Sequence, residues 1–227
     1  HLYVDKVTSD LSMETLQLGI FAALLQVAGY AFYGSKILRR DIRPNPASWL
    51  MFAYGTVLLL MVEWDRGASF ALLALPAVCA LSSIVVAFYA LRRAHGWWPM
   101  HLLERFSFGL DILLTFIYLL TWILLAKGLI SDQEKDLAEI IILICWNIGI
   151  FTAFFPLLRQ VYRHPYSEHA VPWTIWSFAY INLALVTFLE EEGFNEILLY
   201  PIIAAVVHGY VAVHTSVWRY RHNKSIA

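Results

Sequence analysis

Charge is scarce in this 227-residue chain: Asp, Glu, Lys and Arg make up 15% of it, against 60% apolar and aromatic residues. A water-soluble domain carries charge on about a quarter of its residues, so this composition excludes one. Neither sign is in excess. A formal net charge of −1 leaves no basic field to hold a polyanion, which removes nucleic acid as a partner. Cysteine is equally sparse. Cys79 and Cys145 both fall inside long apolar runs, where a thiol reads as a small buried hydrophobe rather than half of a bridge. No Gly-x-Ser-x-Gly, His-Glu-x-x-His or phosphate-loop pattern occurs, so neither an enzyme nor a bound cofactor is expected. The last apolar segment, 196–218, has no lysine, which leaves retinal without a Schiff-base partner. The chain opens on His1 instead of methionine, and a processed leader, a tag remnant and a truncated start all remain open.

What the chain has in abundance is long apolar runs. A helix needs about 20 mostly apolar residues to cross a hydrocarbon layer about 30 Å thick. Segments 13–38, 46–62, 68–91, 104–126, 137–162, 170–189 and 196–218 qualify, and every connection between them is short. The expectation is an all-α polytopic membrane protein with seven transmembrane helices.

Charge placement sets an orientation. Alternate connections hold Lys36, Arg39, Arg40 and Arg43, then Arg92, Arg93 and Arg105, then Arg159 and Arg163, and finally Arg219, Arg221 and Lys224, twelve of the sixteen basic residues. The opposite side keeps Lys6, Arg66, Lys127 and Lys135, together with acidic clusters at 132–139 and 190–196. Basic loops stay on the cytoplasmic side, so the N-terminus is expected outside, the C-terminus inside, and the plasma (inner) membrane as the location. Trp49, Trp64, Trp97, Trp98, Trp218 and Tyr220 gather at predicted helix ends, where they read as interfacial anchors.

Two stretches share a layout: a helix ending in a basic turn, a Pro-containing loop, a Trp-led helix, an acidic turn ending in Gly, then a third helix. The first runs from Tyr33 through Arg39, Arg40, Pro44 and Pro46 to Trp49, Phe52-Ala53-Tyr54 and Gly67. The second runs from Phe155-Pro156 through Arg159, Arg163, Pro165 and Pro172 to Trp173, Phe178-Ala179-Tyr180 and Gly193. Phe52 to Phe178 and Gly67 to Gly193 are both 126 residues apart, whereas Trp49 to Trp173 is two fewer. One extra helix separates the copies, so both enter the membrane from the same side and the repeat is parallel.

A 3+1+3 arrangement of this kind resembles the PQ-loop/SWEET (MtN3-type) superfamily, with the segment Phe155-Pro156-Leu157-Leu158-Arg159 similar to its proline-bearing stretch. Leu157 stands where the family's Pro-Gln dipeptide has glutamine. The resemblance implies an extracytoplasmic segment at 1–12 and a first triple-helix bundle at 13–95. A linker helix and outer loop follow at 96–136, then a second bundle at 137–219 and a cytoplasmic tail at 220–227. It also implies a carrier working by alternating access.

Polar groups at membrane depth each ask for a reason, since a central charge costs about 2.5–3.5 kcal/mol to insert. Asp111 shares a helical stripe with Glu104, Phe108, Thr115, Tyr118 and Trp122, and reads as a proton or substrate site or as a structural tie. His208 lies on a small-sided face with Pro201, Ala204, Val211 and Thr215, and with Asp111 makes a candidate proton-coupling pair. Asn147, Asn182 and Trp176 are further candidates for contacting a solute, with interhelical hydrogen bonding the alternative for the asparagines. His101 and His214 lack a ligand spacing, so no metal is expected. Glu63 is expected to reach the outer surface near Asp65 and, with 190–192, to form an acidic mouth. Pro156 and Pro76 fall inside predicted helices and are candidate hinges, while Pro46 and Pro172 suit first helical turns.

Two readings follow. One is a carrier for a small polar solute, with a cavity lined by helices 1, 2, 5 and 6 and proton coupling as an option. The other is a non-transporting receptor or subunit packed against a larger membrane complex. Membrane lipids are partners in both, and homo-oligomerisation is compatible with either.

Overall fold

A computed structural model describes residues 2–94, 101–191, 193 and 196–223, with side chains from residue 13 onward. Trp97, Trp98, Glu192 and Lys224, and the side chain of Lys6, lie outside the described set. The described residues form helices α1 (Leu2–Leu38), α2 (Pro46–Asp65), α3 (Phe70–Arg93), α4 (Leu102–Ala126), α5 (Asp132–Ala153), α6 (Phe155–Arg163), α7 (Ala170–Glu190) and α8 (Leu199–Arg221). With α5 and α6 as one unit, seven spans are long and apolar enough to cross a membrane. The chain is accordingly an all-α integral membrane protein. Leu24, Val85, Phe88, Phe116, Val206 and Val213 are each at least 60% exposed, a surface that lipid covers and water would not.

Helix ends follow local chemistry. Asn45 accepts from the Ser48 amide and Ser69 from the Leu72 amide, each as an N-cap. Ser131 and Glu134 form a reciprocal capping box, which starts α5 at Asp132, five residues before the predicted 137. The Gly67, Gly128 and Gly193 turns all have positive φ. The apolar run at 137–162 also proves discontinuous: it breaks at Phe154, and Pro156 stands in the first turn of α6. Proline has no N–H to give the preceding turn, and the neighbouring Leu157 amide donates to Ser48 Oγ of α2 at 3.1 Å. The buried Ser48 thus satisfies a donor that the break leaves outside the helical ladder. Pro76, by contrast, lies within continuous α3.

Helix α3 packs against both α1 and α2, and α8 against α7, α5 and α6. The two groups meet through α1 on α7 and α2 on α5, while α4 rests on α5 and α2. At Gly29, a Cβ would sit 2.2 Å from Trp176 Nε1, so only glycine lets the α7 indole lie on α1. One end of the bundle, the basic end, carries Arg39, Arg40, Arg92, Arg93, Arg159 and Arg163. The other, the acidic end, carries Asp65, Glu134, Glu139, Glu190 and Glu196.

Candidate functional site

Between the two groups lies a cavity of about 20 Å³, enough for one water. Its wall is drawn from six of the seven spans: Tyr30 of α1; Trp49, Phe52 and Thr56 of α2; Cys79 and Ser83 of α3; Ile150 and Phe154 at the α5 end; Trp173, Trp176 and Tyr180 of α7; and Tyr200, Ala204 and His208 of α8. Helical spacing explains the choice. Trp49, Phe52, Thr56 and Glu63 repeat on one face of α2, Trp173, Trp176 and Tyr180 on one face of α7, and Cys79/Ser83 and Ala204/His208 are i, i+4 pairs.

His208 is the most basic group on this wall. Its Nδ1 lies 2.6 Å from the Ala204 carbonyl, which can only accept, so Nδ1 carries the hydrogen and Nε2 keeps its lone pair. Rings of Tyr180, Phe154, Trp173 and Trp176 surround it at centroid distances of 4.9, 5.2, 5.2 and 5.9 Å. Most hydroxyls are already paired within the protein. Tyr200 donates to Tyr180 (3.0 Å), Tyr180 to Cys79 Sγ (3.4 Å), and Tyr30 bonds both Cys79 Sγ (3.4 Å) and Ser83 Oγ (2.7 Å). Thr56 donates to its own helix at Phe52.

Below the cavity, toward the basic end, sits a layer of indoles closed by a buried carboxylate. Trp49 Nε1 donates to Tyr33 Oη (3.1 Å), Tyr33 donates to Glu168 Oε1 (3.1 Å), and Trp173 Nε1 donates to Glu168 Oε2 (3.0 Å). Glu168 is fully buried, and burial raises its carboxyl to about 8 despite the opposing pull of the Trp173 and Tyr33 hydrogen bonds. Next to it, burial, then Arg219 and Lys36, lower the His169 imidazole to about 4. Asn45 donates to Gln160 and the Arg43 amide to the Ser167 carbonyl, so the first and second helix groups are tied here at several points. The acidic end is tied by Ser69 to Glu190 (2.5 Å), Arg66 to Glu196 (3.2 Å) and the ion pair of Lys135 on α5 with Asp65 on α2 (3.1 Å).

The sequence candidates divide. Trp176 and His208 line the cavity. Asp111 is buried, but on α4 against Gly149 of α5, and it does not meet His208. Asn147 is buried and donates back to the Leu143 carbonyl; half-buried Asn182 donates back to Phe178. Neither lines the cavity. Of the α4 stripe, Glu104, Asp111 and Tyr118 are buried, while Trp122 is 40% exposed and carries Lys135 over its ring. Two further expectations are corrected. Trp49 is no interfacial anchor: its α2 face points between the helix groups, and it is buried against Tyr33, Phe52 and Trp176. Glu63 does not reach the surface: it is buried, and its Oε2 has no hydrogen-bond partner among the described residues. Among the described residues no group of three acidic, histidine or cysteine side chains is placed to hold a metal.

Glu168, Tyr30, Ser83 and Tyr200 were not singled out from the sequence, and Trp173 and Tyr180 entered only as repeat positions. The signal available was helical phase, because the residues facing the cavity recur at three and four along α2, α3, α7 and α8. Comparison of the chain with protein families, curated proteins and solved structures finds no match, so the functional reading rests on its own geometry.

Proposed function

We propose that this protein is a carrier with a PQ-loop/SWEET-like parallel repeat. It moves a small solute through the central cavity by alternate opening of two triple-helix bundles, α1–α3 and α5–α8, with the basic end in the cytoplasm. The supporting observation is that matched positions of the two halves face one another across the cavity. At an offset of 124, Trp49 corresponds to Trp173, Phe52 to Trp176 and Thr56 to Tyr180, and all six line it. At an offset of 125, Pro76 corresponds to Pro201, Cys79 to Ala204 and Ser83 to His208, again with both members of the last two pairs on the wall. The helix contacts are compatible with this pairing, since α1 meets α7 and α5 meets α2. The 126 spacing is the weaker register, because buried Phe52 then falls on Phe178, which is 57% exposed. A cavity with one wall from each half, tied at both ends, has the form of an occluded intermediate.

Proteoliposomes carrying the protein should take up one class of radiolabelled small polar solute, and Trp176→Ala and His208→Ala should abolish the uptake while leaving the protein folded. Uptake of every tested class at the protein-free rate would refute the carrier. The small size of the cavity favours a second reading, a non-transporting membrane subunit with a rigid core, which predicts a co-purifying partner chain and no solute effect on thermal stability.

A further inference from the structure

The hydroxyl chain on the cavity wall has an order that polar satisfaction alone does not require. Starting at the acidic end, Tyr200 gives its proton to Tyr180, and Tyr180 gives its proton to Cys79 Sγ. Tyr30 then joins Cys79 to Ser83, where the direction of either bond can be set by the protein. Donation therefore runs inward, from α8 through α7 to α3 and α1. This leaves a lone pair of the Tyr200 oxygen free to receive a proton from the acidic side. Glu63 lies on that side, within electrostatic reach of Tyr200 and buried with Oε2 unpartnered among the described residues. No hydrogen bond joins the two, and a bridging water or a rotation of the carboxyl completes the link. At the inner end, Ser83 and His208 share the one-water space, and His208 Nε2 has a free lone pair and no partner among the described residues.

We propose that protons reach the cavity from Glu63 along Tyr200, Tyr180, Cys79, Tyr30 and Ser83 and are received on His208 Nε2, which makes the proton the coupling ion of the carrier. This deepens the carrier reading and rests on it. The Glu63 carboxylic acid gives its proton to the Tyr200 oxygen as each hydroxyl or thiol hands its own to the next. A water between Ser83 and His208 passes the last one on, the imidazole becomes imidazolium, and Glu63 is reprotonated from solvent when the acidic end opens. Toward the basic end the route stops at the indoles of Trp49, Trp173 and Trp176, whose ring faces carry no exchangeable proton. Glu168 lies beyond that layer, bonded to Tyr33 and Trp173. The route is thus wired to one side and insulated from the other, as alternating access demands. Around Glu63 the charged groups are Arg66 of the same turn and the neighbouring cluster of Asp65, Lys135 and Glu139. Around His208 the contacts are aromatic, from Phe154, Trp173, Trp176 and Tyr180.

A protonated imidazole quenches an adjacent indole, so proton arrival is read as a fall in tryptophan fluorescence after a stopped-flow jump from neutral to acidic pH. The full-length protein in detergent should show this quench, and His208→Phe should lack it. Cys79→Ser keeps a group that both donates and accepts and should retain the rate. Cys79→Ala, and Tyr180→Phe, which keeps the ring, should each slow it by about tenfold or more, roughly the effect of 1.4 kcal/mol on a barrier. A quench that survives His208→Phe, no quench at all, or equal rates in Cys79→Ser, Cys79→Ala and Tyr180→Phe would overturn the route. None of these outcomes depends on solute uptake, so a failed route and a failed carrier are told apart.

Discussion

Replacing Glu168 by glutamine should remove a pH dependence of stability that the wild-type protein owes to this one carboxyl. The folded protein holds the Glu168 proton up to about 8, whereas the unfolded chain releases it near the ordinary value of 4.5. Between those values the folded state binds more protons than the unfolded state, so stability is full below 4.5 and declines as pH rises through 8. At about 1.4 kcal/mol for each pH unit, the whole interval sets a ceiling of about 5 kcal/mol. His169 acts in the opposite sense, because its imidazole stays neutral in the fold down to about 4 and charges on unfolding below 6.5. Its contribution rises with pH and offsets that of Glu168 below 6.5. Between pH 6.5 and 8 the His169 contribution is absent, and Glu168 should by itself contribute a loss of about 2 kcal/mol, a fall of about 4–8 °C in apparent Tm. The Glu168→Gln side chain has no proton to lose. It should accept from Trp173 through its oxygen, donate to the Tyr33 oxygen through its amide, and give a profile shallower by that amount. Thermal unfolding followed by intrinsic fluorescence across this range compares the two proteins directly. A glutamine variant with the same slope as wild type in this window would refute the reasoning.

Three further outcomes follow from packing. Gly29→Ala should displace the Trp176 indole, because the new methyl would fall 2.2 Å from Nε1; a loss of about 1–3 kcal/mol and an altered tryptophan emission are expected, and an unchanged Tm would count against the α1–α7 contact. Lys135 forms ion pairs with Asp65 at 3.1 Å and with the fully buried Glu139 at 3.0 Å, so Lys135→Ala should cost about 3–5 kcal/mol by thermal unfolding, with partial recovery in the double variant Lys135→Ala/Glu139→Gln. Ser48→Ala should cost about 1–3 kcal/mol by stranding the buried Leu157 amide at the α5–α6 break, and Ser48→Thr, which keeps the hydroxyl, should cost less by the same assay.

The spans were legible because one physical quantity, uninterrupted apolar length, dominates the free energy of a helix in lipid. Basic residues at alternate ends then set their succession. Asp111 shows where this reasoning stops. The α4 stripe drew attention to Asp111, but its burial against Gly149 of α5 is a property of packing, and no local pattern tells which neighbour a face will meet. The break at Phe154 was half legible, since Pro156 marked the position, whereas its partner Ser48 lies 109 residues away. Glu168 was invisible for another reason. It sits in a loop among polar residues, where a carboxylate is ordinarily solvated, and only the fold brings Tyr33 and Trp173 onto its two oxygens. The aromatic cavity needed helical phase, which puts Trp49, Phe52 and Thr56 on one face of α2 and Trp173, Trp176 and Tyr180 on one face of α7.

Alternate opening is tested most directly by two spin-label pairs in a Cys79→Ser/Cys145→Ser background, each pair joining the two helix groups. Exposed Leu38 and Tyr162 report on the basic end, and exposed Trp64 and Leu199 on the acidic end. Pulsed electron–electron distance measurements in lipid nanodiscs should give two populations at each end. Conditions that lengthen one pair should shorten the other. A single unchanging distance at both ends, across pH and solutes, would contradict a carrier and leave a rigid membrane subunit.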